Sequence, residues 1–224
     1  MTQPSALTGR PRGHIPLAPQ GWPFLLPALA LLVLFIWLGW VVAGTILGLL
    51  FAFMLNFFRD PERQTPSEPG LFIAPADGRV VRAEPFGEAG GDGLRVDVFM
   101  NVFNVHVNRA PMSGRIASME YTTGQFINAA AGNAGAVNER NRFEMDAEDG
   151  SHPAFTQIAG LVARRIVSYI QPGATVRAGQ RIGMIRFGSR VDCEIPAGFE
   201  LCVKVGDKVV AGETVLARKP EVGV

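Results

Sequence analysis

The sequence has little with which to staple itself or to hold a metal. Its 224 residues include two cysteines, Cys193 and Cys202, and three histidines, His14, His106 and His152. Two cysteines make no disulfide framework, and no C-x-x-C pair is present, so they read as small core residues in a reducing compartment. The histidines lie far apart, without the clustered ligands a zinc site usually needs, and no metal is expected. Net charge is nearly absent as well: 21 Lys and Arg against 20 Asp and Glu leave a formal +1. That removes the electrostatic case for nucleic acid as a main partner. A G-x-S-x-G elbow is also missing, which argues against an α/β-hydrolase.

Charge is missing altogether from Trp22 to Phe58. A single helix of that length would run roughly 55 Å, against a hydrocarbon core of about 30 Å. Two short spans fit better, with a break near Leu38–Trp40, where Gly39 and Trp40 suit a turn at the interface. One tilted span is the alternative. Arg10 and Arg12 precede the run and Arg59 and Arg63 follow it, so both ends favour the cytoplasmic side. A cleaved signal peptide does not fit, because the stretch is too long and no small-residue cleavage site follows. The expected organisation is a disordered tail (1–21), a membrane hairpin (22–58), a linker (59–70) rich in Pro and Gly, and one globular domain (71–224).

That domain reads as mostly β, with one or two short helices. Stretches such as "GRVVRAE", "LRVDVFMNVFNVHV" and "FELCVKV" alternate and carry β-branched residues between Gly, Pro and Asp breaks. Two segments repeat: "PGATVRAGQRIGMI" from Pro172 and "VGDKVVAGETVLAR" from Val205 share Gly173/Gly206, Val176/Val209, Ala178/Ala211 and Gly179/Gly212. A weaker pair is "PADGRVVRA" from Pro75 and "PMSGRIASM" from Pro111. The expected architecture is a sandwich or barrel of repeated β-hairpin units with lipoyl- or biotinyl-like halves. A swinging-arm carrier would need a lysine at the tip between the repeats. The chain offers Gly188-Ser189 there instead.

Three polar residues stand out in apolar surroundings. Asp77 precedes a Gly turn, His106 lies in a strand-like run, and Ser189 follows Gly188. Each has an ordinary reading: an Asx-turn, an interior histidine, a turn cap. Together they supply an acid, a base and a hydroxyl, the ingredients of an activated serine.

The longer motifs carry a resemblance. "FFRDPER", "PADGRV", "VFMNVFNVHVNRAP", "NERN" at Asn138–Asn141, "GLVARRIV" and "GQRIGMIRFGSRVD" occur in this order from residue 57 to 192. With them the chain resembles the phosphatidylserine decarboxylase proenzymes of the short, membrane-attached type. The resemblance implies that the Ser189 hydroxyl attacks the Gly188 carbonyl and turns the peptide into an ester. β-Elimination and hydrolysis then leave a covalent pyruvoyl group and ammonia. The products would be a large chain (1–188) and a small chain (189–224) that stay associated as a heterodimer, with a higher oligomer possible. His106 would be the base and Asp77 would orient it. Gly188, without Cβ, can take the strained backbone that the attack requires.

The same resemblance implies decarboxylation of phosphatidylserine to phosphatidylethanolamine at the cell membrane, with the domain on the cytoplasmic side. The pyruvoyl ketone would act as the electron sink. Arg140, Arg109 and Asn138 are candidate contacts for the lipid headgroup, since guanidinium matches phosphate geometry. One departure stands out. Longer members carry a second histidine three residues before the one matching His106, and here that position is Phe103. Two readings from other classes remain open: a membrane-anchored, lipoyl-like adaptor without chemistry, and a serine hydrolase that keeps Ser189. A related decarboxylase for another serine-headgroup lipid is a third.

Overall fold

The computed structural model describes residues 16–87, 93–129, 131–161, 165–186 and 188–220. Residues 1–15 of the expected tail, with Arg10 and Arg12, lie outside these, as does Phe187 of the "RFGS" motif. The chain divides between Glu62 and Arg63 into two compact units.

The first unit holds two apolar helices, α1 (Trp22–Trp37) and α2 (Val41–Phe57). A 3-10 turn at Pro19–Gly21 leads into α1, and the stretch Pro19–Trp37 is long and apolar enough to cross a membrane. α2, at 17 residues, is shorter than that 19-residue stretch. Gly44 sits against Ile36 and Gly48 against Leu32, an antiparallel register. The turn between the helices is made by Gly39 at φ +71°, a left-handed conformation that costs glycine little. Large apolar side chains are exposed along both helices, Trp37 at 80% and Val41 at 77% among them. Residues 16–18, assigned to the tail from sequence, run beside the end of α2, where Ala18 N–H donates to the Phe58 carbonyl at 2.7 Å.

The second unit is mostly β, as the alternation implied. Its strands are β1 (Leu71–Ile73), β2 (Gly78–Phe86), β3 (Gly93–Met100), β4 (Val107–Arg109), β5 (Gly114–Thr122), β6 (Arg140–Ala147), β7 (Ala154–Ala159), β8 (Ile166–Ser168), β9 (Thr175–Val176), β10 (Arg181–Ile185), β11 (Ser189–Pro196), β12 (Glu200–Leu201), β13 (Lys208–Val209) and β14 (Val215–Arg218). One short helix, α3 (Ala134–Val137), interrupts them. An eight-stranded sheet runs in the order β13-β2-β3-β11-β7-β6-β5-β9. Two three-stranded sheets, β1-β14-β12 and β4-β10-β8, complete the fold.

The repeated segments meet the large sheet in the same way at its two margins. Val209 pairs with Gly78 and Val176 pairs with Gly114. Val80 N–H donates to Asp207 and Ile116 N–H donates to Ala174, each at 2.9 Å. Lipoyl- or biotinyl-like halves do not follow from this. Eight strands form one continuous sheet, and β11 lies inside it between β3 and β7.

Strand alternation gives β11 two different faces. Val191, Cys193 and Ile195 join the apolar core with Val96, Val98, Met100 and Phe155. Arg190, Asp192 and Glu194 point to the other side.

Candidate active site

Ser189 is the first residue of β11 and is fully buried. Its backbone pairs with Met100 of β3 on one side and Ala159 of β7 on the other. Its hydroxyl lies 3.8 Å from the Met100 sulfur, a weak acceptor. Gly188, just before it, has φ +63°, a left-handed conformation that favours glycine. The Gly188 carbonyl is pressed against Gly160, where an added Cβ would lie 2.1 Å from the oxygen. The peptide between Gly188 and Ser189 thus lies at the end of a central strand, against a position where only a glycine fits, whereas the space at Gly188 itself is open.

His106 stands directly before β4 and is fully buried. Its Nδ1 lies 2.9 Å from the Asn104 carbonyl, which can only accept. That places the proton on Nδ1 and leaves Nε2 as the basic nitrogen. β4 crosses the core face of the large sheet near Ser189. Asn108 Nδ2 lies 3.7 Å from the same Met100 sulfur, and Gln157 Nε2 donates to Asn108 Oδ1 at 2.8 Å. The His106 carbonyl accepts the Ile185 N–H of β10 at 3.3 Å. His106 and Ser189 are both fully buried, and the residue whose N–H meets the His106 carbonyl lies four positions before Ser189.

Asp77 is placed differently. Its carboxylate receives Arg63 Nη2 at 3.0 and 3.2 Å and the Ala211 N–H at 2.8 Å. Among the described residues no hydrogen bond joins it to His106. The Asp77 turn nevertheless abuts the histidine's strand, because Arg109 N–H donates to the Pro75 carbonyl at 2.9 Å. A Ser-His-Asp relay is not assembled in this structure, and the aspartate binds three loops together instead.

The three candidate headgroup residues are occupied by the fold. Asn138 is fully buried; its amide donates to the carbonyls of Ile127 and Ala159 and its oxygen accepts the Ile127 N–H. Arg109 is buried and donates to the Gly179 carbonyl at 2.8 Å. Arg140 donates to the Ala136 carbonyl at 2.9 Å. It lines a groove of about 360 Å³ with Arg82, Arg95, Arg142 and Arg190. That groove lies on the face of β11 opposite the Ser189 side chain.

Residues that the sequence reading missed sit on that opposite face. Arg190 and Asp192 form a bidentate pair at 2.6 and 2.9 Å. Arg190 also donates to the carbonyls of Ala129 and Ala131, both at 3.1 Å. With Asn138 it ties the segment 125–138 across the end of β7. Asp97 faces Asp192 directly across β3 and β11, and Arg95 bridges the two. Burial, and next the Asp192 charge, raise the Asp97 pKa despite that arginine. The available signal was the charged alternation in "SRVDCE", but alternation alone does not say which residues face it. Asn108 and Gln157 gave no signal apart from a polar side chain among apolar neighbours, and Arg63 was legible only as a basic flank of the uncharged run.

This arrangement suits a reaction within the chain. A buried hydroxyl adjoins a conformationally special peptide, and a buried imidazole has its basic nitrogen defined. Residues 50–217 match the model of the phosphatidylserine decarboxylase family. The chain is also similar to proteins named phosphatidylserine decarboxylase proenzyme. That of Aromatoleum aromaticum is 44% identical over 212 residues, covering 92% of this chain and 97% of the relative. That of Oleidesulfovibrio alaskensis is 48% identical over 208 residues, covering 92% and 95%. That of Ruegeria pomeroyi is 47% identical over 212 residues, covering 90% and 94%. With the family match running from within α2 into β14, across three quarters of the sequence, this chain belongs to the phosphatidylserine decarboxylase family.

Proposed function

We propose that the chain decarboxylates phosphatidylserine to phosphatidylethanolamine at a pyruvoyl group formed from its own Ser189. The observation that carries this is the fully buried Ser189 directly after left-handed Gly188. The surroundings fit such a group: an apolar wall of Met100 and Ala159, and a glycine at 160 that leaves space only for the Gly188 carbonyl. In maturation His106 Nε2 takes the Ser189 proton, and the hydroxyl oxygen attacks the Gly188 carbonyl carbon. The C–N bond breaks to give an ester, and elimination releases Gly188 as a carboxylate. Hydrolysis of the dehydroalanine left at 189 expels ammonia. The pyruvoyl group, once formed, supplies an electron sink for loss of carbon dioxide from an amino acid headgroup.

The remaining roles belong to the chain's own side chains. With Phe103 in place of a second histidine, His106 serves both maturation and protonation of the product. Asp77 sets the His106 strand through the Pro75–Arg109 contact and neutralises Arg63. The small chain, 189–224, stays bound to the large one because β11 pairs along its length with β3 and β7. The helices α1 and α2 form a membrane hairpin, with the β unit on the cytoplasmic side of the cell membrane. An anchor suits a substrate whose two acyl chains hold it in the bilayer.

Intact-mass spectrometry of the purified chain tests the reading. Two chains split between Gly188 and Ser189 are expected, the smaller lacking an N-terminal amine. Ser189→Ala should yield one uncut chain with no lipid decarboxylation. Decarboxylation by that variant would overturn the proposal.

A further inference from the structure

Forming the pyruvoyl group consumes one water at residue 189, which is fully buried, so a water held inside the fold is needed. Two carboxamides beside Ser189 are built to hold one. Gln157 lies on β7 and is fully buried. It pairs with Val191 of β11, two residues along from the Ala159–Ser189 pair. Alternation therefore puts Gln157 on the same face as Ser189, as its diagonal neighbour, with Cβ atoms about 7–8 Å apart. That face is the core face, since Val191 belongs to the apolar core.

The Gln157 amide is fixed at one end only. Nε2 donates to Asn108 Oδ1 at 2.8 Å, and Asn108 Nδ2 lies 3.7 Å from the Met100 sulfur, which the Ser189 hydroxyl also meets at 3.8 Å. The sulfur accepts and cannot donate, which orients Asn108, and Asn108 Oδ1 in turn orients Gln157. Gly183 of β10 leaves the amide its room, because a Cβ there would lie 3.1 Å from Nε2. The other end is not used by the fold. Gln157 Oε1 is buried and takes no hydrogen bond from the described residues. A buried acceptor left unmet costs as much as a lost hydrogen bond, so such an atom calls for a water or a ligand. Asn108 Oδ1, buried as well, accepts one hydrogen bond and has a lone pair for a second.

We infer that Gln157 Oε1 and Asn108 Oδ1 hold a buried water, and that this water turns the dehydroalanine at residue 189 into the pyruvoyl group. The inference deepens the proposed maturation and rests on it. Elimination leaves an enamine at 189. The proton removed from its Cα returns to Cβ and gives an iminium. The water oxygen then bonds to the iminium carbon, and its first proton passes to the nitrogen. The C–N bond breaks with its electron pair going to nitrogen, the second water proton follows, and ammonia departs as ammonium from the new ketone. A water that gives both hydrogens to carbonyl oxygens turns its lone pairs outward, as a nucleophile must. The iminium carbon is already electron-poor, so no charged base is needed, and two neutral amides cost less to bury than a carboxylate. The negative ends of their dipoles also favour the cation.

The test uses the full chain in detergent. A crystal structure of the uncut Ser189→Ala precursor should show a water within hydrogen-bond reach of Gln157 Oε1 and Asn108 Oδ1. In parallel, processing is quenched at intervals into denaturant with borohydride. That reagent reduces a pyruvoyl end to lactyl, which blocks N-terminal sequencing, and an imine end to alanine, which sequences. The parent's small chain should end in lactyl. Gln157→Met keeps the shape and loses the acceptor. Its chain should still split between Gly188 and Ser189, but the small chain should carry alanine, with ketone formation slowed about tenfold or more, the worth of one hydrogen bond. Gln157→Glu, whose protonated carboxyl can both donate to Asn108 and accept from water, should restore the lactyl end. A precursor without the water overturns the inference. So does a Gln157→Met small chain that reaches lactyl at the parent rate, or a Gln157→Glu that behaves like Gln157→Met. If Gln157→Met does not fold, the precursor structure and Gln157→Glu decide. A parent chain that stays uncut overturns the proposed function and this inference together, whereas a cut parent with an unimpaired Gln157→Met overturns the inference alone.

Discussion

The turns Pro75–Gly78 and Pro111–Gly114 stand at the two margins of the large sheet and are built alike. Arg109 N–H donates to Pro75 at 2.9 Å, and Ile73 N–H donates to Pro111 at 2.9 Å. The third residue of each turn accepts an N–H from the matching alanine of the repeat: Ala211 gives to Asp77 at 2.8 Å, and Ala178 gives to the Ser113 hydroxyl at 3.0 Å. The side chains then diverge. Asp77 holds Arg63 with its charge, whereas Ser113 has no charge to offer. Five residues before each proline the chain has Gly70 in one case and His106 in the other. A hydroxyl is enough to close the turn, so the Asp77 carboxylate is more than the turn needs. The backbone is duplicated and the chemistry is not.

The comparison can be pressed hardest at His106, which has no counterpart across the sheet. His106→Ala should slow cleavage by about 10²–10⁴-fold, the usual worth of a positioned base. Conversion of precursor followed by gel and mass spectrometry measures this; full processing at the parent rate would remove His106 from maturation. Gly160→Ala comes next. Its Cβ would meet the Gly188 carbonyl at 2.1 Å, so the peptide must shift and cleavage should fall to a small fraction. The helical hairpin, in the other unit, should stay folded, as circular dichroism would report.

Asp77→Ser makes one turn chemically like the other. Folding should survive, because Ser113 shows that a hydroxyl accepts the alanine N–H. Cleavage should slow by about tenfold through loss of the Arg63 contact, and Ser113→Asp should leave it unchanged. Equal behaviour of the two variants would reduce Asp77 to a turn residue.

The smallest effect concerns pH. The Asp97 pKa is raised above its ordinary 3.8, first by burial and then by the facing Asp192. The folded chain therefore holds this proton more tightly than the unfolded one. The resulting stability is complete below the unfolded pKa and is lost as pH rises through the raised value. Asp192→Asn removes the facing charge, lowers the Asp97 pKa and should move that loss to lower pH. Melting curves in detergent, compared for the position of the pH transition, would show it; an unmoved transition would mean that Asp192 does not govern Asp97.

The apolar run, the alternating strands, the paired repeats and the place of Gly188-Ser189 were all determined by the sequence itself. Each is local: it follows from hydropathy, from the two-residue period of a strand, or from what glycine permits within a few residues. The contacts around the site are of another kind. Ser189 meets Met100 across 89 residues, Arg63 rather than His106 takes Asp77, and Asn138 spends its amide on Ile127 and Ala159. Period predicts that Ser189 and Arg190 face opposite ways, but not which strands lie beside them. Only the tertiary structure decided that, because strand order is set by burying the whole core at once, and side-chain partners follow from that order.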